Sequence, residues 1–511
     1  MVKENDTIIG MGALLTMTYV QVNDSGMWTA SVDTDFFDTG RDGAILRNGF
    51  VTLREGATLF APPGAILDEI DSVNLANTGH LGLVIRIPGP KDAVYWNTVP
   101  LAIKDDLVGG PLVPATADWD KFDFVKINDA NEVFVIGEIV NASVAGAFEP
   151  TLAKFKVDDI GNILSKEVLL TKGQFIPVLG TTVSDLPISE HSLAVNKHGD
   201  YMTLILGLGS VNAYVINAET VVAQEGAPSP IAGRTWNTLV NTPKLWLNDN
   251  GDYIHAGSIS GTGGNYLIAK NGEKFAQSGD IYPTFSAGTM QNGSAAPLYV
   301  ANDGNVFWRC DSSLSDDAFL RNFTPIIQQN VTLFEGDLVT GVEQTENGFS
   351  VSSNGRFFAG RVDLQLGGEA ALFVDFGLVL PIPGCLGNEG ELKVIDSMAL
   401  PGKTLEFSMD LGHAVGSLPF ILFSTRERVP GSDCGVNTPY GELLISNAHR
   451  IGRLTLPSWN GNQASTLSAP IPVDLTLVNQ TFFAQGVFRG PIGTSPAYSL
   501  TNGLRIEIGA P

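Results

Sequence analysis

Four aspartates in the segment 33–43 stand close enough together in sequence to bind a cation. They are Asp33, Asp35, Asp38 and Asp42. Hard carboxylate oxygens are the ligands that Ca²⁺ prefers, so the segment is a candidate site for calcium as a cofactor. The spacing departs from that of an EF-hand loop, and Arg41 adds an opposing charge. A solvated acidic loop is the alternative that the sequence leaves open.

Aromatic side chains beside carboxylates form a second candidate site, in segments that we interpret as longer loops between repeats. The residues are Asp118, Trp119, Asp120, Trp236 and Tyr282. Aromatic faces pack against the C–H groups of sugars and carboxylates accept hydrogen bonds from hydroxyl groups, so these residues predict a carbohydrate-binding surface. In the alternative interpretation, the same aromatic rings cover the core or pack between loops.

Established catalytic spacings are missing from the sequence. It contains no HExxH, no GxSxG, no GxxxxGK[ST] and no GxGxxG that opens a helix. The six histidines do not occur at spacings typical of metal ligands. We therefore assign no catalytic residues and favour a non-enzymatic protein. The 54 acidic residues offer many carboxylate pairs, so a polysaccharide lyase or a glycoside hydrolase is the alternative.

A short phrase recurs seven times: alternating apolar residues, a turn rich in Asn and Asp, and in six copies a final glycine. The copies end at Gly26, Gly79, Asn131, Gly199, Gly251, Gly304 and Gly355. Their spacings are 53, 52, 68, 52, 53 and 51 residues. Gly and Asn adopt the positive φ that a tight reversal needs, and Asn and Asp bond to the turn backbone. A second pair of strands follows each turn, so each repeat predicts four strands.

A period near 50 residues with four strands per repeat is typical of a β-propeller blade. One such sheet cannot bury both faces, whereas neighbours around a ring can. We therefore predict an all-β protein with a seven-bladed β-propeller over residues 1–384. The phrase Asp6–Gly12 resembles the fourth strand of other repeats. We expect the N-terminal segment to pair with the last blade and close the ring.

After residue 384 the period stops. We predict strands at 392–395, 404–411, 419–424, 441–444, 452–456, 473–477, 481–488 and 503–508. Short strands punctuated by Pro and Gly are typical of a β-sandwich of the jelly-roll or immunoglobulin-like kind, which we predict for residues 385–511. Among the three cysteines, Cys385 and Cys434 are the sensible disulfide pair, and three buried thiols including Cys310 are the alternative.

Composition excludes several classes of partner. The chain has 30 basic and 54 acidic residues, and this net charge of −24 opposes binding to nucleic acid or an anionic membrane. No segment approaches the ~18 apolar residues of a membrane-spanning helix. We interpret the apolar segment 7–20 as a strand rather than a signal peptide.

The seven Asn-x-x-Gly turns and the tail segments 482–486 and 501–509 resemble a group of secreted bacterial repeat proteins. In that group, tandem propeller repeats precede a C-terminal β-sandwich of the choice-of-anchor type. The resemblance implies an extracellular or cell-surface location and supplies no catalytic residues. We therefore expect an exported structural or binding protein for surface assembly, adhesion or extracellular recognition. A homo-oligomer or filament of such an acidic chain needs complementary patches or screening cations.

Overall fold

The computed structural model describes most of the chain. The described residues are 2–9, 11–36, 40–59, 61–89, 91–140, 148–209, 211–239, 244–282, 288–291, 297–334, 336–343, 347–385, 388, 390–396, 398–410, 416–430, 432, 434–459, 464–491 and 497–510. Helix in these residues is limited to three single 3₁₀ turns: Glu190–Ser192, Asn447–His449 and Leu475–Leu477. The rest of the regular structure is strand, so the all-β prediction is confirmed. No helix in the described part of the chain is long and apolar enough to cross a membrane.

Contacts divide the chain into two units, Met1–Phe373 and Val374–Pro511, which we describe separately. The first unit begins with β1 (Val2–Lys3). The first sheet contains β2 (Thr7–Ile8), β3 (Gly12–Val22), β4 (Trp28–Thr34), β5 (Gly43–Arg47) and β6 (Phe50–Arg54). The second contains β7 (Glu69–Leu75), β8 (Leu81–Ile87), β9 (Lys91–Trp96) and β10 (Val99–Ile103). The third contains β11 (Asp118–Ile127), β12 (Glu132–Val140), β13 (Phe148–Val157) and β14 (Ile163–Thr171).

Four further sheets follow in chain order. The fourth contains β15 (Phe175–Ile176), β16 (Thr181–Asp185), β17 (Leu193–Val195), β18 (Tyr201–Gly207), β19 (Val211–Ile216) and β20 (Thr220–Gln224). The fifth contains β21 (Trp236–Thr238), β22 (Leu245–Leu247), β23 (Tyr253–Ile259), β24 (Tyr266–Lys270) and β25 (Glu273–Gln277). The sixth contains β26 (Leu298–Val300), β27 (Val306–Cys310), β28 (Ala318–Arg321) and β29 (Thr324–Gln328). The seventh contains β30 (Leu333–Phe334), β31 (Asp337–Val342), β32 (Phe349–Val351), β33 (Phe357–Leu364) and β34 (Gly368–Asp375), together with β1.

Apolar side chains pack each of these antiparallel sheets against the next. Between the fifth and sixth sheets, for example, Ile268 and Trp308 are fully buried in one cluster. The seventh sheet packs against the first, where Val20 and Ala371 share a core and Trp28 stacks on Phe373 with 4.4 Å between ring centroids. Burying a large apolar side chain contributes roughly 1.5–3 kcal/mol. Repeated sheet-to-sheet interfaces of this kind give the first unit a propeller-like arrangement.

The N-terminal strand supplies the outer strand of the seventh sheet. β1 pairs antiparallel with β34, with Val2 opposite Ala371. A tight turn follows, in which Asn5 has φ 67° and the Asp6 N–H donates to the Lys3 carbonyl at 3.0 Å. The chain then enters the first sheet, where Thr7–Ile8 pairs with β3. The phrase Asp6–Gly12, expected to make the closing contact, therefore contributes its strand residues to the first sheet.

The second unit contains three sheets in its described residues. Its strands are β35 (Leu378–Ile382), β36 (Glu391–Asp396), β37 (Thr404–Asp410), β38 (Leu418–Ser424), β39 (Val436–Thr438), β40 (Gly441–Leu443), β41 (Arg450–Thr455), β42 (Ser465–Pro470), β43 (Thr481–Arg489) and β44 (Tyr498–Glu507). They form a five-stranded sheet ordered β35-β44-β43-β38-β41, a three-stranded sheet ordered β36-β37-β42 and the hairpin β39-β40. The two larger sheets share an apolar core that includes Phe407 from one and Ile421, Phe488 and Ile506 from the other.

Two details of the second unit test predictions made from the sequence: one predicted strand and the pairing of the cysteines. The strand predicted at 473–477 is wrong, because Leu475–Leu477 forms a 3₁₀ turn whose N-cap, Asp474, accepts a hydrogen bond from the Thr476 N–H at 2.9 Å. Cys385 and Cys434 form a disulfide with 5.0 Å between their Cα atoms. Cys310, in the first unit, is a buried free thiol.

A buried histidine lies between the fourth and fifth sheets. His255 on β23 packs against the rings of Tyr214, Trp236 and Tyr253. Neither of its ring nitrogens has a hydrogen-bond partner among the residues that the structure describes. Because burial disfavours the charged imidazolium, the pKa of His255 is lowered to about 3. The unfolded chain therefore binds more protons than the folded chain between that pH and about pH 6.5, so stability decreases as the pH falls through this window.

We expect His255→Leu to remove part of this acid sensitivity. In the parent protein the histidine should lower the unfolding free energy by up to about 1.4 kcal/mol per pH unit below pH 6. In urea denaturation at pH 6, 5 and 4, the unfolding free energy of the variant should decrease less steeply with falling pH than that of the parent protein. His198→Leu, which replaces an exposed turn histidine, is the matched control. Equal slopes for the parent and His255→Leu proteins would contradict this account.

Candidate functional site

The recurring turns of the first unit bond both to themselves and to the next sheet. In four of the turns the first polar residue is a buried asparagine: Asn23, Asn128, Asn196 and Asn248. The Asn248 Oδ1 accepts hydrogen bonds from the N–H groups of Asn250 and Asp252, at 2.9 and 2.8 Å. Its Nδ2 donates to the Ala301 carbonyl of the next sheet at 2.9 Å. One side chain thus satisfies its own turn and a neighbouring sheet.

In these turns, the residue that follows the asparagine position forms a second set of hydrogen bonds, which connect the turns of neighbouring sheets. The Asp24 N–H donates to Asn77 Oδ1 at 2.9 Å, and the Asn77 N–H donates to Asp129 Oδ1 at 2.7 Å. The Asp249 N–H donates to Asn302 Oδ1 at 3.0 Å in the same way. Between the seventh and first sheets, the Asn354 N–H donates to Asp24 Oδ1 at 2.8 Å. We call this set the turn ring: Asp24, Asn77, Asp129, Lys197, Asp249, Asn302, Ser353 and Asn354.

The carboxylates of the turn ring influence one another. Burial raises the pKa of Asp24, the hydrogen bond from Asn354 opposes that rise, and the charges of Asp129 and Asp249 reinforce it. Asn77 Nδ2 donates to Asp129 Oδ2 at 2.9 Å and contacts Ser353 Oγ of the seventh sheet at 3.3 Å. The turn ring is therefore a hydrogen-bonded network whose acidic groups already have donors.

A cavity of about 100 Å³ is lined by residues from all seven sheets, including members of the turn ring. Its polar side chains form hydrogen bonds with the backbone of strands in the neighbouring sheet. Gln21 donates to the Val73 carbonyl at 2.6 Å and accepts from the Leu75 N–H at 2.7 Å. Asn74 Oδ1 accepts from the Ile127 N–H at 2.8 Å. The cavity is smaller than the roughly 300–1,000 Å³ of typical small-molecule sites.

A larger concave region opens beside the first sheet, at the opposite ends of its strands from the Asn23 turn. Its volume is about 520 Å³. We call it the acidic cleft because five carboxylate residues line it: Asp33, Asp42, Glu55, Asp68 and Glu69. The β4–β5 and β6–β7 connections bring these residues together, since both connections leave the sheet at the same end.

Glu55 is the acid of the acidic cleft whose pKa burial changes strongly. Its side chain is buried, and its Oε2 accepts a hydrogen bond from the Gly43 N–H at 3.0 Å. Burial raises the pKa of Glu55 to about 7; the hydrogen bond from Gly43 opposes the rise, and the charges of Asp42, Asp33 and Glu69 add to it. Glu55 is therefore partly protonated near neutral pH and could donate a proton to a bound group.

The predicted calcium residues are only partly brought together. Asp33 and Asp42 line the acidic cleft, whereas Asp35 Oδ1 accepts a hydrogen bond from the Ala13 N–H at 2.6 Å. Asp38 lies outside the described residues. In the part of the chain that the structure describes, no group of three or more His, Cys, Asp or Glu residues is arranged to hold a metal ion. Calcium binding stays a prediction, with Asp33 and Asp42 as its adjacent members.

The predicted carbohydrate-binding residues lie in separate packing environments. Trp119 is fully buried and packs on Phe122, and Trp236 packs on His255. Tyr282 stacks on Phe323 with 4.8 Å between ring centroids. The two tryptophan rings are covered and offer no face to a sugar in this structure. Asp118, Asp120 and Tyr282 are half-buried, and Asp120 pairs with Lys104 at 2.9 Å.

Comparison with known proteins does not assign the chain to a family. No protein-family model matches it, and no curated protein sequence matches it. A solved protein of unknown function from Bacteroides caccae is 11% identical, covers 62% of this chain and 92% of its own, and has a TM-score of 0.27. A puromycin hydrolase is 11% identical over 60% of this chain and 44% of its own, with a TM-score of 0.30. A PQQ-bound aldose sugar dehydrogenase from Streptomyces coelicolor is 10% identical over 60% of this chain and 94% of its own, with a TM-score of 0.28. Similarity at this level assigns no activity.

We expect Asn248→Ala to destabilise the first unit by about 2–4 kcal/mol, because it removes four hydrogen bonds of a buried side chain and leaves their partners unsatisfied. Alanine fits this turn position, since Ala76 and Ala301 occupy it in the second and sixth sheets. The measurement is urea denaturation. Asn250→Ala, in the same turn, removes one exposed bond to the Asn302 carbonyl and should cost less than about 1 kcal/mol. Equal losses for the two variants would refute the role given to Asn248.

Glu55→Gln should stabilise the protein at pH 8 and have little effect at pH 5. The folded pKa of Glu55 lies above its unfolded value, so its stabilising contribution is present at low pH and is lost as the pH rises through about 7. The expected gain at pH 8 is on the order of 1 kcal/mol in denaturation experiments, after allowing for solvent screening. Glu69→Gln, on the exposed side of the acidic cleft, serves as the control. A gain of the same size at both pH values would be inconsistent with a raised pKa.

Proposed function

We propose that the protein is an exported, non-enzymatic structural or binding protein for surface assembly, adhesion or extracellular recognition. In this proposal, the first unit forms a seven-bladed β-propeller and the second unit forms a β-sandwich. The boundary lies after residue 373 rather than at the expected residue 384, because β35 (Leu378–Ile382) pairs with β44 of the second unit. The seven described sheets of the first unit, packed in chain order, support the first assignment. The shared core of the two larger sheets in the second unit supports the other.

The non-enzymatic assignment rests on one observation: polar side chains around the cavity form hydrogen bonds with backbone groups of neighbouring sheets. Propellers commonly bind ligands near the centre of the ring. Here Gln21 and Asn74 hydrogen-bond neighbouring strands, and Tyr299 donates to the Phe349 carbonyl at 3.1 Å. Polar groups committed to backbone partners in this way serve the scaffold, so recognition is assigned to the outer surfaces.

The disulfide supports export. Bonds such as Cys385–Cys434 form and persist in oxidising compartments and are rare in the cytosol. A net charge of −24 suits partners other than nucleic acid. We therefore propose an extracellular or cell-surface location, with further copies of the chain or carbohydrate as partners.

An enzymatic function is the second candidate, and the acidic cleft is the observation that favours it. Glycoside hydrolysis uses one protonated and one ionised carboxyl group on either side of the scissile bond. Glu55, with a pKa of about 7, could act as the acid, and Asp33 and Asp42 are carboxylate residues that line the same cleft. At about 520 Å³, the acidic cleft is within the size range of small-molecule sites.

Binding and turnover by the full-length chain separate the two candidates. We expect binding on an array of extracellular polysaccharides or self-association in sedimentation experiments, without release of reducing or unsaturated sugars. Glu55→Gln should leave binding unchanged. Sugar release that Glu55→Gln abolishes and Glu69→Gln retains would establish the enzyme instead. A monomer that binds no glycan would contradict the proposed function.

A further inference from the structure

Positive charge is concentrated at one place in the second unit. Residues 374–511 carry 8 basic and 11 acidic residues, whereas residues 1–373 carry 22 and 43. Half of the basic residues in the second unit lie on β41 or in the segment that follows β38. We call them the arginine edge: Arg426, Arg428, Arg450 and Arg453.

The arginine edge belongs to a terminal strand. β41 is the last strand of the five-stranded sheet and pairs with β38, which places Arg450 opposite Ser424 and Arg453 opposite Leu422. In the described residues β41 pairs with no further strand, so the N–H and C=O groups on its outer edge lie outside the hydrogen bonding of the sheet. Ile451, between the two arginines, is 57% exposed. The surface therefore combines charge, backbone hydrogen-bonding groups and an apolar side chain.

Backbone hydrogen bonds hold the other two arginines close to β41. The Ser446 N–H donates to the Arg426 carbonyl at 3.0 Å, and the Arg428 N–H donates to the Leu444 carbonyl at 2.9 Å. The buried Ser424 hydroxyl is within hydrogen-bond distance of the carbonyls of Arg426 and His449, at 2.9 and 3.3 Å. The segment after β38 and the start of β41 are thereby fixed together.

The charges of the arginine edge are available to a partner. All four side chains are exposed, and none forms an ion pair with a carboxylate in the described part of the chain. Elsewhere in the unit, Lys393 pairs with Glu391 at 2.8 Å and Arg505 with Glu507 at 2.7 Å. The Arg453 guanidinium lies 5.5 Å above the Phe420 ring, which limits its freedom before binding.

We propose that the arginine edge docks on the acidic first unit of a second copy of the chain. This inference rests on the proposed assembly function. The first unit has a net charge of −21, so contacts between two first units are repulsive, whereas the arginine edge is complementary to either of them. An interface between two different surfaces of the same chain is heterologous and generates a ring or a filament.

Charged residues on an open strand edge also discourage edge-to-edge pairing, and the test must separate that role from docking. Reversing the charge keeps the protection but destroys the complementarity. We expect the full-length protein to self-associate at about 20 mM salt and to dissociate at about 500 mM. Arg450→Glu combined with Arg453→Glu should weaken self-association on the order of 100-fold in sedimentation velocity. The control is Lys403→Glu combined with Arg489→Glu, which makes the same charge change at other exposed sites of the second unit.

A mixing experiment tests the polarity of the interface. The double arginine variant keeps its acidic first unit, so it should bind the arginine edge of a parent chain and shorten parent assemblies at substoichiometric ratios. Equal association of the parent protein and the Arg450→Glu/Arg453→Glu variant would overturn the inference. So would an arginine edge that binds only anionic polysaccharide. A parent protein that stays monomeric yet binds glycans would overturn the docking surface and leave the proposed binding function intact.

Discussion

The first unit depends on satisfying backbone hydrogen-bonding groups where its seven turns converge. A buried N–H without a partner costs roughly 1–3 kcal/mol, and the sheets crowd out the water that would otherwise bond to it. Asparagine answers this constraint because its amide carries an acceptor for its own turn and a donor for the next sheet. Asn23, Asn196 and Asn248 all act in this way. Where serine replaces asparagine, the Ser352 hydroxyl accepts from the Phe357 N–H at 2.9 Å.

The same constraint explains why the centre of the unit and its rim differ in chemistry. Around the cavity, Gln21 and Asn74 bond to backbone groups of adjacent strands, so polarity there serves structure. At the other ends of the strands the connections are longer and less regular. They can place Glu55 beside Asp33 and Asp42 without disturbing the turns. Specific chemistry is therefore more easily accommodated at the rim than at the centre.

The sequence predicts the regular parts of the fold well and the candidate site poorly. The strands predicted at 404–411 and 481–488 correspond to Thr404–Asp410 and Thr481–Arg489, because alternating apolar residues report directly on a half-buried strand. β42 (Ser465–Pro470) escapes that criterion, since most of its residues are small or polar. Trp119 belongs to a segment predicted as a loop, but β11 already starts at Asp118 and directs the ring into the core. The acidic cleft brings Asp33 and Asp42, around the β4–β5 connection, next to Glu55 just after β6. Their spacing in the sequence does not predict this contact.

The pairing of β1 with β34 has a consequence for biosynthesis. Val2 leaves the ribosome well before its partner Ala371, which is 369 positions further along the chain. During translation the seventh sheet therefore cannot be completed until almost the whole first unit has been made, and closing so long a loop carries a large entropic penalty. A nascent chain can build its early sheets one after another while both ends of the row remain open. If the protein is exported, this late pairing of β1 with β34 leaves time for secretion machinery to bind the chain before the first unit has finished folding.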